Sequence, residues 1–299
     1  MPTYTRTIPK NLKESIAYFE SLIIDIGREM DGASVPNGGS TRWQIASTSL
    51  YLATQHAQAI CILVQRHDNE AAGLHLRALF EVYIRLAYML SKDDNSRLLA
   101  VLYADAVSYE RYSKEVKKVN LEASTSAPSE AQDRLNHLNN RVEAHIKDTK
   151  QQEKIYRKQL ESMDYTEFLN DKNKLKSGDS ISQQLSIKYM CKCLQNINGQ
   201  SLLNEYASIY GNLSMYVHTS TVYLAKMVHR EKNGNIRIGT VSEEENEEAS
   251  IRNIATAHHY LAGLMLQCLR EKGLSQAELD DRLSILEKGK SKYDEFLTV

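Results

Sequence analysis

Three charges interrupt an otherwise apolar stretch of this chain, "AAGLHLRALFEVYIRLAYML" at Ala71–Leu90: Arg77, Glu81 and Arg85. Each residue turns a helix by about 100°, so their i, i+4, i+8 spacing draws them into one polar line. The rest of the stretch is apolar nearly all round, which marks a central buried helix. Unpaired charge in such a place costs on the order of several kcal/mol per group. The line therefore needs partners. One solution is a structural network along the helix and with its neighbours. The other is a basic site, in which Glu81 holds the two arginine forks in place for a phosphate or another anion. The spacing is compatible with both.

A second stretch, "YASIYGNLSMYVHTST" at Tyr206–Thr221, raises a related question. Leu202, Tyr206, Ile209, Leu213 and Val217 form its core stripe, while Gly211, Ser214 and His218 recur at i, i+3, i+7 on another face. Small residues there let a second backbone approach, which stands His218 at a crevice. It is then either a hydrogen-bonded histidine in a packing groove or a group for acid–base work near neutral pH. Tyr210, Asn212 and Ser214 are candidate ligand-binding side chains beside it.

The other histidines carry less. His258 shares a core stripe with Ile251, Ile254, Leu261 and Met265, as a satisfied core histidine does. His259 points in a different direction from its neighbour, so the pair does not chelate one ion. His56 and His75 lie where the folded core brings them toward the polar line, and His67, His137, His145 and His229 read as surface or loop residues. No HExxH, glycine-rich phosphate loop, GxSxG elbow or EF-hand loop is present, so neither a metal nor a cofactor is expected.

The elements that position these residues are helices. The chain has 299 residues and is 42% hydrophobic, enough for a sizeable core, and its 4 prolines and 13 glycines imply few sharp turns. Its 37 basic and 38 acidic residues balance, so nucleic-acid binding would need a local patch. Cys61 and Cys268 fall in apolar helical runs, and Cys191 and Cys193 are too closely spaced for a zinc site, so reduced buried thiols are expected. No apolar run spans a bilayer and the opening "MPTYTRTIPKNLKES" lacks a signal-peptide core, which together suit a reducing cytoplasm and no membrane.

Helices are expected over about Leu12–Met30, Trp43–Arg66, with a small-residue face of Ala46, Ser47, Ser49, Ala53 and Ala57, and Ala71–Leu90. A helix from Ser96 carries Leu98, Leu102, Ala106, Tyr109, Tyr112 and Val116. A polar one from about Glu130 to Ser162 carries Leu135, Leu138, Val142, Ile146, Tyr156 and Leu160. These two thin stripes suggest an antiparallel helical-hairpin arm. Ser180 with Gln183 reads as a capping box for a helix reaching about Leu194, and Ser242/Glu245 and Ser275/Glu278 read likewise for the last two helices. "KNGN" at Lys232–Asn235 signals a two-residue β-hairpin turn. The expected organisation is all-α: an antiparallel bundle from 1–109 and 177–299, with a small hairpin near 228–241, and an arm at 110–176 that is removable and able to bind a partner protein.

"LRALFEVYIRLAYML", followed much later by "YGNLSMYVH" and a short hairpin, resembles the HEPN-like helical superfamily over the core helices, Trp43–Leu102 and Ser180–Leu269. The resemblance implies an antiparallel bundle, usually a homodimer, often in toxin–antitoxin and phage-defence systems. Many such proteins are ribonucleases that cut RNA without metal, using an arginine, a short spacer and a histidine. His218 matches the motif histidine and Asn212 the polar residue that often follows the arginine, but Gly211 stands at the arginine's place. Arg77 or Arg85 would then substitute from the neighbouring helix, with Glu81 as orienter and His218 as general acid–base. The alternatives are a non-catalytic oligomerising interaction module and a nucleotide- or anion-sensing domain.

Overall fold

The structure, a computed structural model, describes residues 8–31, 40–125, 128–163, 167–198, 202–217, 228–230, 236–238 and 243–297. In chain order the elements are α1 (Lys10–Asp31), α2 (Thr41–Gln65), α3 (Asn69–Leu90), α4 (Ser96–Ser124), α5 (Ser129–Glu161), α6 (Gly178–Gln184), α7 (Ile187–Asn198), α8 (Leu202–Val217), β1 (Val228–Arg230), β2 (Ile236–Ile238), α9 (Glu243–Lys272) and α10 (Gln276–Leu297). Among the described residues no helix is long and apolar enough to cross a membrane. The chain divides into two compact units, Met1–Ala87 with Asn198–Val299, and Tyr88–Ile197.

In the first unit the fold follows from small residues on α2. Ser40 caps that helix by accepting from the Trp43 amide (3.2 Å), and His67 closes it in the left-handed region (φ 59°). Ala46, Ala53 and Ala57 are fully buried, and the helix packed most extensively against α2 is α9 of the same chain. Polar clamps hold this pairing at both ends. Arg42 at the start of α2 grips Glu271 at the end of α9 with two parallel bonds of 2.8 Å. Asn69, opening α3, donates to the Asn246 carbonyl (2.9 Å) and accepts from the Ser250 hydroxyl (2.8 Å). Gly263 is required where α3 meets α9, since a Cβ there would lie 2.7 Å from the Tyr83 ring.

Along α1, Leu12, Ile16, Phe19 and Ile26 are buried, as their spacing implies. His258 of α9 is also buried, stacked on Tyr18 of α1 with centroids 5.5 Å apart, and its Nδ1 lies 3.0 Å from the Tyr293 hydroxyl of α10. Its Nε2 has no hydrogen-bond partner among the described residues. It is thus a core histidine satisfied on one side only. His67 lies in the turn between α2 and α3, as its reading as a surface or loop residue has it, and its Nε2 is buried. The Ser275/Glu278 box forms reciprocally, Ser275 N donating to Glu278 Oε2 (2.8 Å) and Glu278 N to Ser275 Oγ (3.4 Å). Residue 242 lies outside the described residues, and with it the Ser242/Glu245 box.

In the second unit, α4 and α5 pair along a seam that keeps most of the expected stripes: Leu98, Ala106 and Leu160 are buried, and Leu102, Val116, Leu135, Val142, Ile146 and Tyr156 are half-buried. Tyr109 and Tyr112 depart from it, being 53% and 65% exposed, and Leu138 of α5 is exposed too. The seam also buries Ser113, Asn139 and Thr149, with Glu110 between Lys114 (2.7 Å) and Lys150 (3.7 Å), and Lys117 on Glu143. Small and polar residues at 106, 113 and 120 let the helices close, whereas the two tyrosines lie to one side. Cohesion along the pair is therefore both apolar and polar.

Glu167 is the hub of this unit. Its Oε1 accepts from the hydroxyls of Tyr88 (2.8 Å) and Tyr189 (2.7 Å), and its Oε2 from Arg97 Nε (3.3 Å). Arg97 also lies over the Tyr88 ring at 4.6 Å and donates to Ser91 Oγ (2.7 Å). These contacts tie residues outside 110–176 to one inside it, so the unit extends past the expected arm at both ends. The expected single helix to Leu194 is two. Ser177, not Ser180, caps α6 by accepting from the Ser180 amide (3.2 Å). The turn at Leu185–Ser186 ends it, and Ser186 Oγ caps α7 through the Tyr189 amide (3.3 Å). Gly178 has no room for a side chain, because Val107 of α4 presses on it.

The strands pair antiparallel as Val228 with Ile238, His229 with Arg237 and Arg230 with Ile236. A two-residue turn at Asn233–Gly234 would instead oppose Arg230 with Arg237. The ladder is thus one residue out of that register.

Two measurements test this architecture. Burial, with a smaller effect of His259, pushes the His258 pKa down to about 4, below its unfolded value of 6.5. The folded protein then binds fewer protons than the unfolded chain between these values, so stability falls as pH drops from 6.5 to 4, by about 3 kcal/mol from this group. Urea unfolding across that range should show the slope in wild type and lose most of it in His258→Gln. In the second unit, Glu167→Ala takes the carboxylate from Arg97 and from the hydroxyls of buried Tyr88 and half-buried Tyr189, and should destabilise by about 3 kcal/mol, against less for Glu167→Gln. Equal, negligible losses in urea unfolding would show that Glu167 is not a hub.

Candidate functional site

The polar line of α3 meets α8 at Tyr210. Arg77 Nε donates to Glu81 Oε1 at 3.2 Å, the pair expected one helical turn apart. The Tyr210 hydroxyl donates to the same oxygen, and the Arg77 guanidinium lies over the Tyr210 ring with Cζ 4.1 Å from its centroid. Tyr206, one turn back on α8, stacks on Tyr210 with centroids 4.6 Å apart. Two helices thus deliver a cation, a carboxylate, a phenol and an aromatic shelf to one place.

The setting is wetter than the apolar sequence around it suggests. The Arg77 and Glu81 side chains are 25% and 36% exposed, so the line runs along the edge of the core. Burial works against the charge on Arg77, but its hydrogen bonds with Tyr210 and Glu81 outweigh that and raise its pKa. Burial, and then the bond to Glu81, pushes the Tyr210 hydroxyl above its ordinary value and keeps it a donor. A guanidinium has five N–H donors. With Nε on Glu81 and its face on a ring, the fork is oriented, charged and partly open to water. An anion is the ligand such a group receives.

Arg85, one turn further along α3, is half-buried. The backbone of Gly211, Asn212 and Ser214 belongs to α8, but their side chains lie outside what is described, and residue 218, the candidate histidine, lies outside the described residues altogether. His56 and His75 pair with each other across α2 and α3, Nδ1 to Nδ1 at 3.1 Å, so that one ring carries the shared hydrogen and the other accepts it. Burial first, then His75, lowers the His56 pKa. The four cysteines are free, and burial pushes the Cys61 and Cys268 thiols up to about 12, which leaves them inert at neutral pH. Among the described residues no three His, Cys, Asp or Glu side chains converge on a metal position.

A feature that sequence reasoning missed lies in the same unit. A half-open cavity of about 500 Å³ is bounded by α3, α8, α9 and α10 and contains Glu205, His259 and Asp294. Its only sequence signals were Glu205 beside a core stripe and Gly263 within "YLAGL", neither of which indicates a hollow.

Residues 44–236 match the model of a family of unknown function, DUF5677. The chain belongs to this family. The matched stretch of DUF5677 starts inside α2 and ends at the first residue of β2, so it holds Arg77, Glu81, Arg85 and Tyr210 as well as residues 212, 214 and 218. It leaves out α1, α9 and α10. No curated protein and no solved structure matches the chain.

The partial exposure of the pair sets the size of its effect. Glu81→Ala should destabilise by about 1–2 kcal/mol, the range for hydrogen bonds to a charged group, rather than the larger loss of a dry ion pair. A double-mutant cycle of Glu81→Ala with Arg77→Met, read by urea unfolding, should give a coupling of about 0.5–1 kcal/mol. Simple additivity would mean that the two side chains do not act as a pair.

Proposed function

We propose that this protein is a HEPN-like effector that acts on RNA, in which Arg77 receives a phosphate and His218 moves protons. The observation that carries the reading is the Arg77 guanidinium, fixed by Glu81 and laid on Tyr210 of α8, the helix whose sequence holds the motif residues Gly211 and Asn212. The motif cation absent at position 211 would be supplied from α3. Arg85 would add a second phosphate contact, and Tyr210, Asn212 and Ser214 would bind the neighbouring nucleotide. The reading places the protein in the cytoplasm, as a homodimer in a defence or stress response, with the 110–176 arm free to engage a partner protein.

In the proposed cut a ribose 2′-hydroxyl attacks the adjacent phosphate and expels the 5′-oxygen, leaving a cyclic phosphate and a 5′-hydroxyl. His218 takes the proton from the attacking hydroxyl or returns one to the leaving oxygen. Arg77 stabilises the charge that develops on the phosphoryl oxygens, a contribution worth roughly 10²-fold or more in rate for a well-placed donor. No metal is needed for that balance of protons and charge.

Total RNA incubated with the purified protein in excess chelator tests this. Cleavage should survive the chelator, disappear in His218→Ala and fall about 100-fold in Arg77→Ala, with thermal unfolding of His218→Ala unchanged. If wild type is inert, Gly211→Arg should switch cleavage on by restoring the motif. Inertness in both proteins would exclude catalysis and leave an RNA- or protein-binding module.

A further inference from the structure

The half-open cavity of the first unit has a chemistry of its own, opposite in sign to the Arg77 cluster. Its volume of about 500 Å³ is that of a site for a small organic molecule. Leu76, Ile209 and Leu297 give it apolar walls, and Tyr260 an aromatic one. Glu205 of α8 and Asp294 of α10 supply a carboxylate each, from different helices. Of the basic side chains on the lining, Arg252 is paired with Glu248 at 2.5 Å, and the other is the imidazole of His259.

Glu205 is held in place rather than left to swing. Its Oε2 accepts from the hydroxyl of Tyr260 (3.1 Å), a ring that is itself 2% exposed and stacked on Tyr83 with centroids 5.3 Å apart. Its Oε1 has no hydrogen-bond partner among the described residues. An oriented carboxylate on α8, a second on α10 and an aromatic and aliphatic lining together match one ligand class. A protonated amine takes the carboxylates, and its short apolar or aromatic body takes the walls.

We propose that this cavity binds a small organic cation, an amine or guanidinium carried on an apolar or aromatic body, with Glu205 and Asp294 as its charge partners. The site is independent of the RNA reading and stands or falls without it.

Three isosteres separate charge from shape: tyramine is cationic, tyrosol neutral, and 4-hydroxyphenylacetate anionic. Isothermal titration of the full chain should show tyramine binding at least about tenfold more tightly than tyrosol, the discrimination expected of one charge-assisted hydrogen bond, and no binding of the anion. Glu205→Gln, which keeps an acceptor for Tyr260, and Asp294→Asn, at an exposed position, should each remove most of that preference. Ser208→Trp, which fills the cavity from its rim, should abolish tyramine binding with the thermal transition intact. Equal affinity for all three compounds, preference for the anion, tyramine binding unchanged in Ser208→Trp, or no tyramine binding at millimolar concentration would each overturn the proposal.

Discussion

Close approach of α9 to α2 is the constraint on which the first unit rests. Ala46, Ala53 and Ala57 remove side-chain bulk beside the buried Leu50 and Ile60 of the same face, so the helix axes come together. Everything else in the unit is placed by α9. One flank of it carries His258 to α1 and α10, and another, through Gly263, accepts the Tyr83 ring of α3. The Arg42–Glu271 fork and the Asn69–Asn246 contacts then fix its sliding register, because a shift of one turn would part both at once. Dispersion and apolar burial supply the stabilisation, and the polar clamps select one alignment among several of similar burial.

Much of this was legible in the residues. The buried faces of α1 and α2, the placing of His258 in the core and the cap at Ser275 follow from periodicity and from side-chain chemistry that acts over three or four positions. The Arg77–Glu81 contact is of the same kind. Its partner Tyr210 is 129 positions from Glu81, and no local rule predicts which tyrosine of seventeen reaches that carboxylate. The same limit hid the cavity, which is a property of how four helices fail to fill space together. It also hid the division at Ala87/Tyr88, which falls within an uninterrupted helix, where sequence offers no turn signal.

The seam of α4 and α5 shows a smaller error, in which two tyrosines were counted into a stripe that otherwise holds. Leu135, Val142, Ile146, Tyr156 and Leu160 of α5 keep their places beside Asn139 and Thr149, whereas Tyr109 and Tyr112 of α4 are exposed and Ser113 is buried. Hydrophobic periodicity identifies a helix and its apolar side, but at the edge of that side it does not say whether a large ring or a small neighbour takes the contact. Here the small Ser113 lets the helices close, and the two rings lie outside.

That mixed seam has a thermal consequence. The heat capacity change of unfolding grows with apolar area exposed and is reduced by polar area exposed. Separation of α4 from α5 uncovers hydroxyls, an amide and ion pairs along with its apolar stripe, so its enthalpy varies less with temperature than that of a purely apolar contact of equal area. The first unit, cemented by aliphatic and aromatic burial, has the strongly curved stability profile of a conventional core and weakens in the cold. Cooling therefore takes less, per unit of buried area, from the α4–α5 pair, whose ion pairs and hydrogen bonds owe little to the hydration of apolar groups.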